Sequence, residues 1–475
     1  LKKVIPVLCL SLVFFSIYCA INPVTGKREL SFFSEQEEIA LGKQTDGEIR
    51  AQYGTYDDQG LNAYVQRVGQ TMTAHTHRPH LVYHFAVLDT PVVNAFAVPG
   101  GYIYVTRGIL ALINSEAELA VVLGHELGHV NARHSIVKLS QLMLAQIGLG
   151  VAGAISETFA KMSGVASIGI QLLFLKFSRD DEREADALGI QYSRLGGYNP
   201  GEMVNFFASL ERLGDLSGGQ SLPGFLSTHP LTSERVQNVK GMLLATDQQL
   251  KNDQKVYLAA LDNMIYGQDP RQGYAEKNAF YHPRMRFSFT FPEEWEVQNT
   301  PARVTLASKD GKAAVVLQAE KSTENLKDYA QNKVSAIEGG QFLDENSFQI
   351  NGLDSYHQVY DVTQQEKEDL RMRLSFIKKN GFIYTFVSLS TKNDFDKYDG
   401  SFQSIVGSFQ QLRDSKYLNR KPMRIRLVNA NGKETLQSLF QKAGMAEDLW
   451  PNFAIMNGME PNATPKNGQP IKIVQ

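Results

Sequence analysis

Ser115-Glu-Ala-Glu-Leu-Ala-Val-Val-Leu-Gly-His-Glu-Leu-Gly-His129 is the stretch on which the reading of this chain turns. Ser115 followed three residues later by Glu118 is a capping box, so a helix begins here and runs toward Arg133. Ala117, Leu119, Ala120, Val121, Val122 and Leu123 give that helix the broad apolar surface of a buried element. His125 and His129, four residues apart, project from one face one turn apart, so both imidazoles can reach a single metal ion. Glu126 falls on the neighbouring flank, close to such an ion yet free to take a proton from water. At average residue frequencies a chance HExxH in a chain of this length is a roughly one-in-a-hundred event. The competing reading is a helix whose histidines hydrogen-bond in the core while Glu126 is solvated.

Two histidines do not complete a catalytic zinc site, which usually takes three protein ligands and leaves a fourth position for water. Ser178-Arg-Asp-Asp-Glu-Arg-Glu-Ala-Asp186 supplies a donor. Ser178 caps a second helix, and Gly196-Gly197 lies past its end. Glu182 and Asp186 share one face of that helix. Glu182 is the candidate third ligand. Asp186, one turn on, can accept a hydrogen bond from a ligand imidazole and fix its tautomer.

Outward from this pair, the N-terminal side reads as two helices, Ser34 to Arg50 and Gly60 to Ala74, the second with Leu61, Tyr64, Val65 and Val68 on one face. Strand patterning follows at Leu81 to Leu88 and, after the turn Pro99-Gly100-Gly101, at Gly101 to Val105. A helix and loop near Tyr257 to Tyr274 mark a boundary. Beyond it the period changes to two: Met285 to Phe291, a hairpin over Val304 to Glu320, then Ser355 to Val362, Leu370 to Lys378 and Phe382 to Ser390. Helical stretches at Asn325 to Glu338 and Tyr398 to Phe409 complete an α+β unit. The tail reads strand, helix, helix, strand, with strands at Met423 to Val428 and Pro470 to Val474 and helices at Thr435 to Ala443 and Leu449 to Asn457. The expected division is therefore residues 1–19 a signal segment, 20–255 a metallopeptidase domain, 256–280 a helical linker, 281–414 an α+β accessory domain and 421–475 a small C-terminal domain.

With 475 residues, 43% of them apolar and 21% charged, the chain is a folded protein of more than one domain. Lys plus Arg number 48 against 50 Asp plus Glu, so no basic excess exists to neutralise phosphates, and nucleic acid is not an expected partner. Lys2 and Lys3 precede the apolar run Val4 to Tyr18, which has the form of a secretory signal. It is too short to span a bilayer comfortably. Both cysteines, Cys9 and Cys19, lie in this region, so a processed chain holds no internal disulfide. Cys19 resembles a lipobox cysteine, whose acylation would anchor the protein to the membrane. Tyr18 stands where a small residue is usual, and ordinary signal cleavage is the alternative.

Several segments together resemble the gluzincin zinc metallopeptidases that include the CAAX prenyl endopeptidase, HtpX and BepA. They are Asn94-Ala-Phe-Ala-Val-Pro-Gly-Gly-Tyr-Ile-Tyr-Val105, His125-Glu-Leu-Gly-His129, Ser178-Arg179 ahead of Glu182 and Asp186, and Ser227-Thr-His-Pro230 with Glu234-Arg235. The likeness covers Asn22 to Ala245. It implies a mainly α-helical zincin domain with a small β-sheet and one zinc ion per chain, held by His125, His129 and Glu182. Hydrolysis would use metal-activated water, with Glu126 as general base. It also implies that Gly101, Tyr102, Ile103 and Tyr104, with Asn94, form an edge strand on which an extended substrate pairs. His229 would approach the metal, as oxyanion donor or as occupant of the water position, and Arg235 would sit nearby as an oxyanion or structural charge. The tail segments Glu434 to Leu439, Ile455 to Gly458 and Asn467 to Val474 resemble the LysM fold, which implies peptidoglycan as a further partner.

These features predict an endopeptidase of the bacterial periplasm, anchored to the outer membrane if Cys19 is acylated, that degrades unfolded or misfolded envelope proteins. The alternative is a latent metalloprotein acting as chaperone or binding module in envelope assembly. Three weaker signals remain. His75, His77, His80 and His84 crowd a turn that could hold a second metal but reads as a polar lead-in to the Leu81 strand. His134 reads as a helix-end residue off the ligand face. Leu142 to Ala154 and Val165 to Phe177 read as apolar helices covering the site, with membrane contact as the alternative.

Overall fold

Helix α4 (Glu116–Asn131) is buried along all sixteen of its residues and forms the axis around which the first half of the chain is built. The computed structural model describes residues 19–148, 175–218, 224–335, 340–363 and 368–475. The signal-like run up to residue 18 lies outside them, as does most of the two apolar stretches between Leu142 and Phe177. The first elements are a short antiparallel pair, β1 (Cys19–Ile21) and β2 (Arg28–Leu30). Helix α1 (Glu35–Tyr53) follows with a complete capping box on Ser34 and Glu37. Helix α2 (Gln59–Thr73) buries Leu61, Val65, Val68 and Met72 against the sheet and α4.

That sheet has three strands, β3 (His84–Leu88), β4 (Ala95–Val98) and β5 (Tyr102–Thr106), in the order β3-β5-β4. The segment expected at the edge, Gly101 to Val105, supplies the middle strand instead. It runs parallel to β3 on one side and antiparallel to β4 on the other. The reversal Pro99-Gly100-Gly101 causes this: both glycines take left-handed φ values, 77° and 97°, and turn β4 back onto β5. A side chain at Gly101 would meet the Val82 carbonyl at 2.6 Å, which keeps that position glycine.

After α3 (Arg107–Leu112) and α4 come α5 (His134–Gly148) and then α6 (Arg179–Leu195), capped by Ser178 with Asp181 at its third position. Helix α7 (Glu202–Leu216) and the short α8 (Gly224–Thr228) and α9 (Ser233–Met242) close over α4 and α6, and α10 (Gln254–Leu261) leads out.

The accessory unit contains a four-stranded sheet made by β6 (Tyr274–Glu276), β7 (Ala279–His282), β8 (Phe287–Thr290) and β16 (Gln410–Gln411). Beside it is a seven-stranded antiparallel sheet of order β12-β13-β14-β15-β11-β10-β9. Its strands are β9 (Trp295–Asn299), β10 (Val304–Ser308), β11 (Ala313–Lys321), β12 (Gly340–Ile350), β13 (Leu353–Val362), β14 (Leu370–Lys379) and β15 (Phe382–Thr391). Helices α11 (Leu326–Val334) and α12 (Phe395–Gly407) pack on this unit, which has apolar clusters of its own.

The C-terminal unit shows the expected order: β17 (Ile425–Asn429), α13 (Leu436–Lys442), α14 (Trp450–Met456) and β18 (Pro470–Val474). It does not fold apart. Phe440, Phe453, Ile455, Ile471 and Ile473 belong to the same continuous core as Leu110, Leu119 and Val122. The chain leaves that core and re-enters it side by side. Asn263 N–H donates to the Ile425 carbonyl at 2.8 Å, Ile425 N–H to Met264 at 2.9 Å and Tyr266 N–H to Met423 at 2.8 Å.

Candidate metal centre

Helices α4 and α6 approach closely because small residues face each other across their contact. A Cβ added at Gly124 would lie 3.0 Å from the Gly189 carbonyl oxygen, and one at Gly128 would lie 3.0 Å from the Ala185 Cα. This brings the two histidines of α4 to the acidic face of α6. His125 Nε2 and His129 Nε2 stand 3.1 Å apart. The Glu182 carboxylate lies 3.7 Å from His125 Nε2 and 3.6 Å from His129 Nε2. His229, carried just past α8, places its Nδ1 2.9 Å from Glu182 Oε1 and 3.4 Å from His125 Nε2.

One ligand atom from each of His125, His129, Glu182 and His229 lies within 4.8 Å of all the others, and all four residues are buried. Among the described residues this is the one group able to hold a metal ion. The protonation states of His129 and Glu182 suit ligation, whereas at His229 burial favours the neutral ring but Glu182 and Glu126 outweigh it and raise the pKa. Burial and cationic neighbours hold the His129 pKa well below the ordinary value, keeping it neutral. Burial opposes ionisation of Glu182, but His229, His125 and Arg235 outweigh it and hold that carboxylate ionised. Neutral imidazole and ionised carboxylate are the forms that bind zinc. Glu182 Oε2, though ion-paired to Arg235, has no aligned hydrogen bond, so a lone pair remains for a cation.

The sequence of this region matches the model of peptidase family M48 over residues 59–243. The chain carries an M48 peptidase domain. It is 30% identical over 227 residues to the beta-barrel assembly-enhancing protease of Yersinia pestis, covering 46% of each protein. To the mitochondrial metalloendopeptidase OMA1 of Arabidopsis thaliana it is 32% identical over 179 residues, 38% of this chain and 35% of that one. To the metalloprotease YcaL of Escherichia coli it is 29% identical over 160 residues, 33% of this chain and 61% of the relative. The chain thus spans about half the length, or less, of the first two. The M48 family uses zinc, and this donor set fits that ion.

Around these four residues, the M48 domain of this chain places the other residues singled out by sequence. Asp186 Oδ1 is 3.0 Å from His125 Nδ1 and also accepts from Arg235 Nη2 at 2.7 Å. Arg235 Nε donates to the other Asp186 oxygen at 2.7 Å, and Nη1 stands 2.7 Å from Glu182 Oε2. The arginine therefore grips Asp186 in a bidentate pair and holds Glu182 by an ion pair alone. Glu126 is 1% exposed, its Oε1 has no hydrogen-bond partner, and it lies 3.8 Å from His229 Nε2. Burial raises its pKa above the usual carboxylate range, against the pull of His229, His125 and the Ala97 backbone N–H.

That contact with Ala97 identifies the free sheet edge. Thr106 N–H donates to the Asn94 carbonyl, so Asn94 faces β5. Antiparallel alternation then turns the N–H and C=O of Ala95 and Ala97 outward, toward Glu126. The edge beside the site is β4 and not Gly101, Tyr102, Ile103 and Tyr104. Asn94 does stand at its start, with a buried side-chain oxygen lacking a partner.

Three of the four clustered histidines take separate partners: His77 meets the Tyr192 hydroxyl, His80 meets Glu35, and His84 stacks on Tyr102. One residue of the centre was missed. His134, read as a helix-end histidine, has its Nδ1 2.9 Å from His129 Nδ1. Helical periodicity could not find it, because Arg133 adopts a left-handed φ of 60° that breaks the helix and redirects the next residue.

Proposed function

We propose that the chain is a zinc-dependent endopeptidase of the bacterial cell envelope that cleaves extended segments of unfolded polypeptide. The observation that carries this reading is the buried Glu126 carboxylate lying between the metal-ligand cluster and the free edge of β4. A substrate backbone added to β4 would pair with Ala95 and Ala97, with the Asn94 amide at one end. That geometry selects an extended chain, the conformation a folded protein does not present. His125, His129 and Glu182 would hold the zinc ion, which when bound polarises the scissile carbonyl and acidifies water. Glu126, its pKa raised by burial, would take the proton and pass it to the leaving amine. Asp186 and Arg235 would hold His125 and Glu182 in place.

A second reading is favoured by His229. A fourth protein donor in the cluster leaves no position for water, so the centre would be latent until substrate displaces that imidazole. A latent metalloprotein acting as chaperone shares this geometry.

Placement in the envelope is supported by the signal-like N-terminal run and by relatives named for β-barrel assembly. Among the described residues no helix is long and apolar enough to cross a membrane. Attachment would be through an acylated Cys19, and Cys19→Ser would then shift the protein from the membrane fraction to the soluble one. Peptidoglycan binding by the C-terminal unit rests on its strand-helix-helix-strand order.

The deciding experiment compares wild type with Glu126→Gln for zinc content and for cleavage of unfolded casein. Equal zinc with cleavage lost in the variant supports the peptidase. Zinc present with no cleavage by either protein supports the latent reading.

A further inference from the structure

His129 and His134 meet edge to edge. Their Nδ1 atoms are 2.9 Å apart, and both rings are buried. On the far side, His134 Nε2 is 3.4 Å from Glu184 Oε2 and 3.8 Å from Asp181 Oδ1. Phe177 stacks on the His129 ring with centroids 4.1 Å apart, so water has little access to this face.

The hydrogen between the two rings can belong to only one of them. His129 Nε2 faces His125 Nε2 at 3.1 Å and Glu182 at 3.6 Å, which makes it the ligand atom. The His129 hydrogen therefore sits on Nδ1 and is donated to His134. His134 must accept at Nδ1, which puts its own hydrogen on Nε2, aimed at Glu184. The Glu184 carboxylate has its other oxygen buried and without a partner. One tautomer of each ring satisfies the whole chain.

We propose that His134, backed by Glu184, is a positioning residue that fixes the tautomer and ring plane of the ligand His129; this rests on reading His129 as a zinc ligand. The two ligand imidazoles are then supported unequally. His125 donates directly to the Asp186 carboxylate. His129 donates to a neutral imidazole, and the carboxylate stands one ring further out. The centre gains orientation at His129 without a second full negative charge against that ligand.

The test uses the full chain with His134→Ala and His134→Asn. Zinc affinity is measured by competition with a chromophoric chelator, and folding by thermal unfolding of the metal-free proteins. Removing a hydrogen-bond partner of a ligand histidine should weaken zinc binding by roughly 10- to 100-fold in His134→Ala. Asn carries its Oδ1 where the imidazole carries Nδ1, accepts the same hydrogen bond, and should recover most of the loss. Wild-type affinity in His134→Ala would overturn the assignment. So would an Asn variant as weak as the Ala variant with the same unfolding midpoint. If wild type shows no zinc binding that depends on His125 and His129, the metal-centre reading itself falls and takes this one with it.

Discussion

Lys472, in strand β18, donates from its buried amino group to the carbonyl of Ile113 at 2.8 Å, two residues before the cap of α4. The same nitrogen donates to Ala111 at 2.7 Å. The end of the chain thus holds the segment from which α4 starts. Lys472→Met would leave these two carbonyls without that donor, at a cost of about 1–3 kcal/mol for a buried acceptor. Chemical denaturation should show the loss, and the transition should move for the M48 domain and the C-terminal unit together. Separate transitions would contradict the shared core.

Glu118, also on α4, gives a pH-dependent prediction. Burial pushes its pKa up to about 8, against the Asn114 N–H that it accepts, with Glu202 raising and Lys472 lowering it further. Its folded pKa lies above the unfolded one, so its stability contribution is complete below the ordinary carboxylate pKa and is lost as pH rises toward about 8. Glu118→Gln keeps an oxygen for Asn114 but cannot ionise. The variant should gain stability over wild type steadily between pH 5 and 8. A gap that does not change with pH in denaturation series would remove this carboxylate as the cause.

Gly124→Ala tests the close contact of α4 with α6. The new methyl would press on the Gly189 backbone at 3.0 Å, and overpacking of this kind costs about 1–3 kcal/mol. Because Glu182 rides on α6, zinc affinity should fall along with the unfolding midpoint. A lower midpoint with unchanged zinc affinity would mean that the helix spacing does not set the ligand geometry.

His229→Ala should retain zinc, since His125, His129 and Glu182 remain. If His229 closes the centre, cleavage of unfolded substrate rises in the variant. A fall of roughly 100-fold would instead make it an oxyanion donor. Equal rates would leave it with neither role.

Much of the centre was legible because its parts are local. Two histidines on one turn, a carboxylate one turn from Asp186, and capping residues at Ser115 and Ser178 are all encoded within short windows, and the structure places them together. What escaped depends on distant neighbours. Strand β4 has only four residues, all apolar, too few to show alternation, and is defined only by β5 lying beside it. Strand β12 is polar and exposed over most of its length, so no alternation marks it. Lys472 sits between Ile471 and Ile473, where period two assigns it to solvent. The face it occupies is covered by the M48 domain, and its burial follows from tertiary packing alone.

The side-by-side departure and return of the chain at Asn263 to Tyr266 and Met423 to Ile425 makes the region between them a guest lodged within a host. The host is discontinuous in sequence and continuous in its core. Beside that paired crossing, Gln272 Nε2 donates to Asp89 Oδ2 at 2.5 Å, so the guest is tied to the host by more than its two connecting strands of chain. Replacing the guest by a short flexible loop joins ends that already touch, whereas stopping the chain after the guest withdraws part of the host's own interior. The boundary that looks like a linker in sequence is therefore fastened to the core it leaves.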